Sequence, residues 1–202
     1  MKDILKRDFY LQDGLTVAKA LLGKVLIREK DGQQYAFKIV ETEAYMGVED
    51  KGAHVYGGKP TTRTKPLFGI GGRTYVYLIY GMYNCLNIAA NEEGTPHCVL
   101  IRAVEPLDEV STAYSQSNRP IKSKKLQDLT NGPGKLCKAL EIDRGLNEVD
   151  VTQGGPLYII DGEVPDQIIA DKRINIDYAE EYKDKAWRFY IAQNSYVSVL
   201  KK

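Results

Sequence analysis

Cysteine is scarce: the chain of 202 residues has three, and no two of them form a Cys-x-x-Cys pair. That excludes a disulfide framework and a cysteine-type structural zinc site, and it fits a reducing, cytoplasmic compartment. No metal or cofactor is expected. Long apolar runs are also missing; none approaches the ~20 residues that a membrane span needs, so no membrane partner is expected. The opening MKDILKRDFYL scatters charges among its few apolar residues, unlike a secretory signal. Repeats, low-complexity tracts and a βαβ rhythm are absent, and without that rhythm a doubly wound nucleotide fold does not fit.

What is present is globular: 43% apolar residues and 27% charged ones, at a length that suits a single domain over residues 1–202. The net charge of +1 hides a segregation. Residues 51–90 hold Lys51, Lys59, Arg63, Lys65 and Arg73 with no acid, a local balance of +5. Residues 119–138 reach +5 again, through Arg119, Lys122, Lys124, Lys125, Lys135 and Lys138 against Asp128. Residues 141–184 then carry a balance of −8. A chain so divided can show polyanions one attractive face and one repulsive face.

Residues 15–22, between Asp13 and Gly23, read as a short helix with an N-terminal cap and a glycine stop. Residues 24–28 and 34–45 read as a strand pair joined through Lys30-Asp31-Gly32. Residues 46–73, rich in Gly, Thr, Pro and Lys, read as a long loop, which in a compact domain is usually functional. Further strands are expected at 74–83, 84–90, 98–104, 157–160 and 187–200, and helices at 106–114 and 133–140. The whole is an α+β domain: a curved, mostly antiparallel sheet with flanking helices and a protruding β-hairpin.

Candidate chemistry is sparse. In VETEAY the strand period of two puts Glu41, Glu43 and Tyr45 on one face, where a partly desolvated carboxylate could act as a general base. In CVLIRA, Leu100 and Arg102 share a face, and the arginine calls for a carboxylate partner, with Glu41, Glu43 and Glu105 as candidates. Four of the 14 tyrosines fall within TYVYLIYGMYN, where Gly81 marks a turn. A hairpin with Tyr80 at its tip would push an aromatic wedge outward beside Lys and Arg, an arrangement suited to base stacking and phosphate contact. His54 and His97 read as surface residues, and Gly69-Ile70-Gly71-Gly72-Arg73 as an ordinary turn, since it lacks the phosphate-loop lysine.

The segments VETEAY (40–45), DKGAH (50–54), TYVYLIYGMYNCLN (74–87), CVLIRAVEP (98–106) and NGPGKLCKAL (131–140) are similar, in order and spacing, to the alkyladenine (3-methyladenine) DNA glycosylase family of the mammalian type. LTVAKALLGK (15–24) and the late WRFYI…YVSV segment extend the resemblance over most of the chain. It implies a monofunctional glycosylase acting on double-stranded DNA containing damaged purines, which flips the target nucleotide and hydrolyses its glycosidic bond; a monomer suits an enzyme that scans DNA. By the same resemblance, Glu43 is the general base and Arg102 orients water or carboxylate. Tyr45, His54, Tyr77, Asn87 and Leu100 form the base pocket, and Tyr80 fills the gap left in the duplex. Arg63, Lys65, Arg73 and Lys135 are expected on the DNA backbone. The chain departs from the family pattern at Asn175 and Gln193, where the family usually has glycine; both are expected to lie outside the pocket. Two other classes share these residues: a non-catalytic nucleic-acid binding module, and a hydrolase acting on free nucleosides or sugars through Glu43.

Overall fold

The computed structural model describes residues 3–200; Met1, Lys2, Lys201 and Lys202 of the expected 1–202 unit lie outside the described residues. The sheet is organised around its longest strand. Strand β1 (Val25–Lys30) returns antiparallel as β2 (Gln33–Tyr45) through Asp31 and Gly32, at φ 52° and 75°. Two successive left-handed residues match the twist of a tight hairpin, which is why an Asp-Gly pair sits there. A second hairpin joins β3 (Thr74–Ile79) to β4 (Tyr83–Ala90), followed by β5 (His97–Pro106), β6 (Leu157–Ile160), β7 (Ile168–Asp171) and β8 (Arg188–Ile191). All pairings are antiparallel, in the order β3-β4-β5-β2-β1-β6.

The first half of β2 pairs with β1, but Glu41–Glu43 pair with β8, which carries β7 on its far side. Val40 on β2 and Arg102 on β5 drop out of their shared ladder, while the register is the same on either side. Bulges of this kind bend a strand and re-aim side chains. Here they fall where β2 changes partner.

Short helices are α1 (Arg7–Tyr10), α2 (Gly14–Ala20), α3 (Glu109–Asn118) and α4 (Pro133–Ala139). Asp13 caps α2 by accepting from the Leu15 and Thr16 amides at 2.9 and 3.2 Å. Asp108 caps α3, so that helix starts after the expected Pro106. Strand alternation sorts the sheet into two faces. Val76, Leu86, Ile88, Val99 and Ile101 join Val17, Leu21, Leu136 and Leu140 in the main core, each such side chain contributing about 1.5–3 kcal/mol on burial. Tyr75 and Cys98, their sheet neighbours on the alternate face, pack instead against Val55 and Leu67 from the long loop.

That loop is not structureless. It holds two short 3-10 turns, Gly47–Glu49 and Lys65–Phe68. The expected strand 187–200 stops at Ile191 because Gln193 turns left-handed at φ 60° and Asn194 caps the turn, its side chain accepting from the Tyr196 amide. Strand β7 escaped the sequence reading; it is four residues of edge strand, IIAD, in which apolar and polar residue types do not alternate. His97 is half-buried rather than a surface residue, accepting from the Gly14 amide at 3.3 Å.

A left-handed L-residue costs about 1–2 kcal/mol relative to glycine. Gln193→Gly should therefore raise the unfolding free energy by roughly 1 kcal/mol in urea titrations, whereas β-branched Gln193→Val should lower it.

Candidate active site

The face of the sheet opposite the main core opens into a cleft of about 500 Å³. Alternation brings Tyr75, Tyr77, Cys85, Asn87, Leu100 and Arg102 to it, and Tyr45 enters from the end of β2. The loop contributes residues 52–55, including His54. Among the sequence-derived candidates, Tyr45, His54, Tyr77, Tyr80, Asn87, Leu100, Arg102 and Lys135 all line this one space.

Glu43 stands directly behind the wall and is fully buried. One carboxylate oxygen accepts from the Ile174 amide at 2.7 Å and lies 3.2 Å from the Arg102 guanidinium. The other accepts from the Tyr45 hydroxyl at 2.9 Å. Burial, and next the Glu43 carboxylate, hold the Tyr45 phenol well above its ordinary pKa, so it stays a donor. Glu41 is equally buried and takes the Arg102 Nε at 3.1 Å, Arg188 at 2.8 Å and the Ser198 amide at 2.7 Å. Burial alone would lower the Arg102 pKa; the Glu43 and Glu41 carboxylates outweigh it and raise it. Glu105, the third candidate partner for Arg102, pairs with Lys38 instead.

The aromatic walls are ordered by edge contacts. The His54 ring meets Tyr77 at 4.5 Å between centroids, nearly perpendicular, and Tyr75 and Tyr77 lie 5.3 Å apart. Arg63 sits 5.2 Å from the Tyr77 centroid, reaches His54 Nε2 at 2.9 Å and donates to the Tyr75 hydroxyl at 3.2 Å. Asn87 is fixed by donating to the Tyr75 carbonyl at 3.1 Å. At the hairpin tip Tyr80 and Gly81 adopt φ 52° and 68°, leaving Tyr80 77% and Met82 70% exposed.

Not every candidate converges. Lys65 is exposed and outside the cleft, and Arg73, at the opposite end of β3 from Tyr80, donates to the Glu148 carbonyl at 3.4 Å. Asn175 overturns an expectation: it lines the cleft, at φ 59°. Its loop is drawn in because its neighbour Ile174 binds Glu43. Tyr75, Tyr178, Ile174, Arg119 and Lys138 also line the cleft and were not singled out for it. Arg119 and Lys138 belonged to a charge excess visible in the sequence, but no periodicity connects them to the sheet.

Burial, and secondly the Arg63 charge, lower the His54 pKa from 6.5 to about 4, which leaves the imidazole neutral. The folded chain thus binds this proton less readily than the unfolded one. The associated stability is complete above pH 6.5 and is lost as pH falls through about 4. An NMR titration should place the His54 midpoint below 5, and Arg63→Gln should raise it; a midpoint near 6.5 in the unaltered protein would contradict the assignment.

The methylpurine-DNA glycosylase family matches residues 8–195. A protein of Clostridioides difficile (strain 630) named "Putative 3-methyladenine DNA glycosylase" is 54% identical over 202 residues, 93% of this chain and 100% of its own length. Identically named proteins of Clostridium acetobutylicum and Desulfitobacterium hafniense (strain Y51) are 50% and 48% identical, over 98% and 96% of this chain and 98% of each relative. The chain belongs to the methylpurine-DNA glycosylase family and is a DNA glycosylase.

Proposed function

We propose that the enzyme removes alkylated or deaminated purines, of the 3-methyladenine, 7-methylguanine, hypoxanthine and ethenoadenine type, by extruding the nucleotide from duplex DNA and hydrolysing its glycosidic bond. The observation that carries this reading is the placement of Glu43 immediately behind the cage of Tyr45, His54 and Tyr77, with Tyr80 projecting beside the cage mouth.

The chemistry follows from the geometry. A purine base inside the duplex is stacked and its glycosidic bond is inaccessible, so the nucleotide must leave the helix at a cost of a few kcal/mol. Tyr80, with Met82 beside it, occupies the space vacated. The electron-rich faces of Tyr45 and Tyr77 favour a cationic N3- or N7-alkylpurine by about 0.5–2 kcal/mol over a neutral one. A neutral His54 adds no opposing charge. Asn87 and Leu100 bound the space at the sheet, with the Asn87 amide placed against the 2-amino group of guanine.

Glu43 receives three contacts, from Ile174, Arg102 and Tyr45. A carboxylate offers about four lone-pair sites, so one is left for a water. That water attacks C1′ as the bond to the base nitrogen breaks; the electron pair leaves with the base and Glu43 takes the water's proton. The positive charge that develops on the sugar faces a fixed carboxylate in a dry site, where electrostatic stabilisation is large. Free base and an abasic site result, with no strand scission. Lys65 and Lys135 are left to meet phosphates, Lys135 already anchored on Asn131 at 2.6 Å, and Arg63, held by His54 and the Tyr75 hydroxyl, meets one beside those contacts. Arg73 is placed to touch the backbone only beyond the far end of the hairpin. The enzyme acts as a monomer, in the cytoplasm.

Glu43→Gln should lower single-turnover base release from a hypoxanthine or 3-methyladenine duplex by 10²-fold or more while leaving duplex affinity nearly intact. Release at the unaltered rate would remove Glu43 from the chemistry. Tyr80→Ala should slow release from duplex DNA about tenfold or more, yet barely affect the same lesion in a single strand. Equal losses on both substrates would dispose of the wedge.

A further inference from the structure

Arg173 does not line the cleft and has no part in the reaction as described, yet several parts of the site converge on it. Its guanidinium forms a fork with Asp50, 2.6 and 2.8 Å long, and both side chains are completely buried. It also donates to the Ala44 carbonyl at 3.1 Å, next to Tyr45. Two aromatic rings lie within cation–π distance of it, with the Tyr45 centroid at 4.7 Å and the Trp187 centroid at 5.0 Å. A Cβ added to Gly52 would come within 3.0–3.3 Å of three guanidinium atoms, so the glycine is where the loop presses flat against the fork.

Each of these partners leads to a wall of the cleft. Asp50 and Gly52 begin the segment that carries His54. Tyr45 donates to one oxygen of Glu43, and Ile174, the residue after Arg173, donates to the other. Asn175 and Ile176 continue along the cleft, and the Tyr178 hydroxyl returns to the Gly52 carbonyl at 3.2 Å.

We propose that the Asp50–Arg173 fork is the positioning device of this active site. By locking the 173–176 loop and the 50–54 loop to the end of β2, it sets the Ile174 amide and the Tyr45 hydroxyl on Glu43 and so fixes the lone pair that meets water. The inference rests on the reading of Glu43 given above. Arg173 touches neither base nor water. Its effect falls on the rate of bond cleavage and not on the grip on DNA, because the phosphate-facing cations and Tyr80 belong to other segments. The need is for a planar, two-pronged cation, since a point charge cannot hold both Asp50 oxygens and also pack against Tyr45 and Trp187.

The test is single-turnover excision from a hypoxanthine-containing duplex, measured beside the affinity for that duplex. Arg173→Lys should slow cleavage about tenfold or more with affinity changed less than twofold. Gly52→Ala, which pushes on the fork without leaving a buried charge unpaired, should shift both quantities the same way by a smaller factor, keeping the test open if Arg173→Lys folds poorly. Asp50→Asn combined with Arg173→Lys should be little worse than either alone, as expected for one coupled unit. The proposal is overturned if cleavage per folded molecule is unchanged in Gly52→Ala and Arg173→Lys, or if affinity falls in step with cleavage. Should the unaltered enzyme release no base from any purine lesion, the reading of Glu43 fails first, and that outcome is distinct from either.

Discussion

Two carboxylates two positions apart on one strand, both removed from water, are the constraint around which this molecule is arranged. Burying an unpaired carboxylate is prohibitively costly. Removing one partner from a buried pair typically costs about 3–5 kcal/mol. Glu41 and Glu43 are tolerated because Arg102 from β5 and Arg188 from β8 reach Glu41 while Arg102 also reaches Glu43. The change of strand partner along β2 makes this possible, since it brings a second arginine-bearing strand beside the same short stretch. The bulge at Arg102 frees that residue from the ladder at the point where it must face two acids. Glu41, with the Ser198 hydroxyl at 2.9 Å as a fourth donor beside Arg102, Arg188 and the Ser198 amide, is saturated; Glu43, with three contacts, keeps acceptor capacity.

The second consequence is a division of labour between the faces of the sheet. Aliphatic residues at one parity build the core with the helices, and residues of the other parity supply a cleft that is aromatic at its walls and ionic behind them. The long loop is therefore not an ornament on the fold. It covers the second face, contributes Val55 and Leu67 to a small satellite core, and delivers His54 as a neutral ring between Tyr75, Tyr77 and Arg63. A polyanion approaching this face meets cations whose local excess cancels in the total charge.

Much of this was legible in the chain. Period-two alternation placed Glu41, Glu43 and Tyr45 together, Asp-Gly and Tyr-Gly pairs marked the hairpins, and Asp13 marked the start of α2, because each depends on neighbours only a few positions away. What escaped depends on long-range contacts. Arg173 finds Asp50, and Ile174 finds Glu43, across more than a hundred positions, and no local pattern announces either. The same loop carries Asn175 into the cleft, contrary to its expected place outside it. Arg102 showed that it needed an acid, but not that it would hold two. The late strand was overextended because glutamine is no turn former, so the left-handed turn at Gln193 was marked only by the glycine the family usually has there. The distinction between an enzyme and a binding module came from family membership together with the cleft, not from the basic loops, which suit both.

The most direct test of the account is a crystal structure of the Glu43→Gln protein with a short duplex carrying one hypoxanthine. The account predicts the hypoxanthine outside the helix between Tyr45, His54 and Tyr77, with the Tyr80 ring in the space it left and the residue 43 side chain facing its C1′. A duplex bound with every base still stacked, or an extruded base lodged anywhere but that cage, would contradict it.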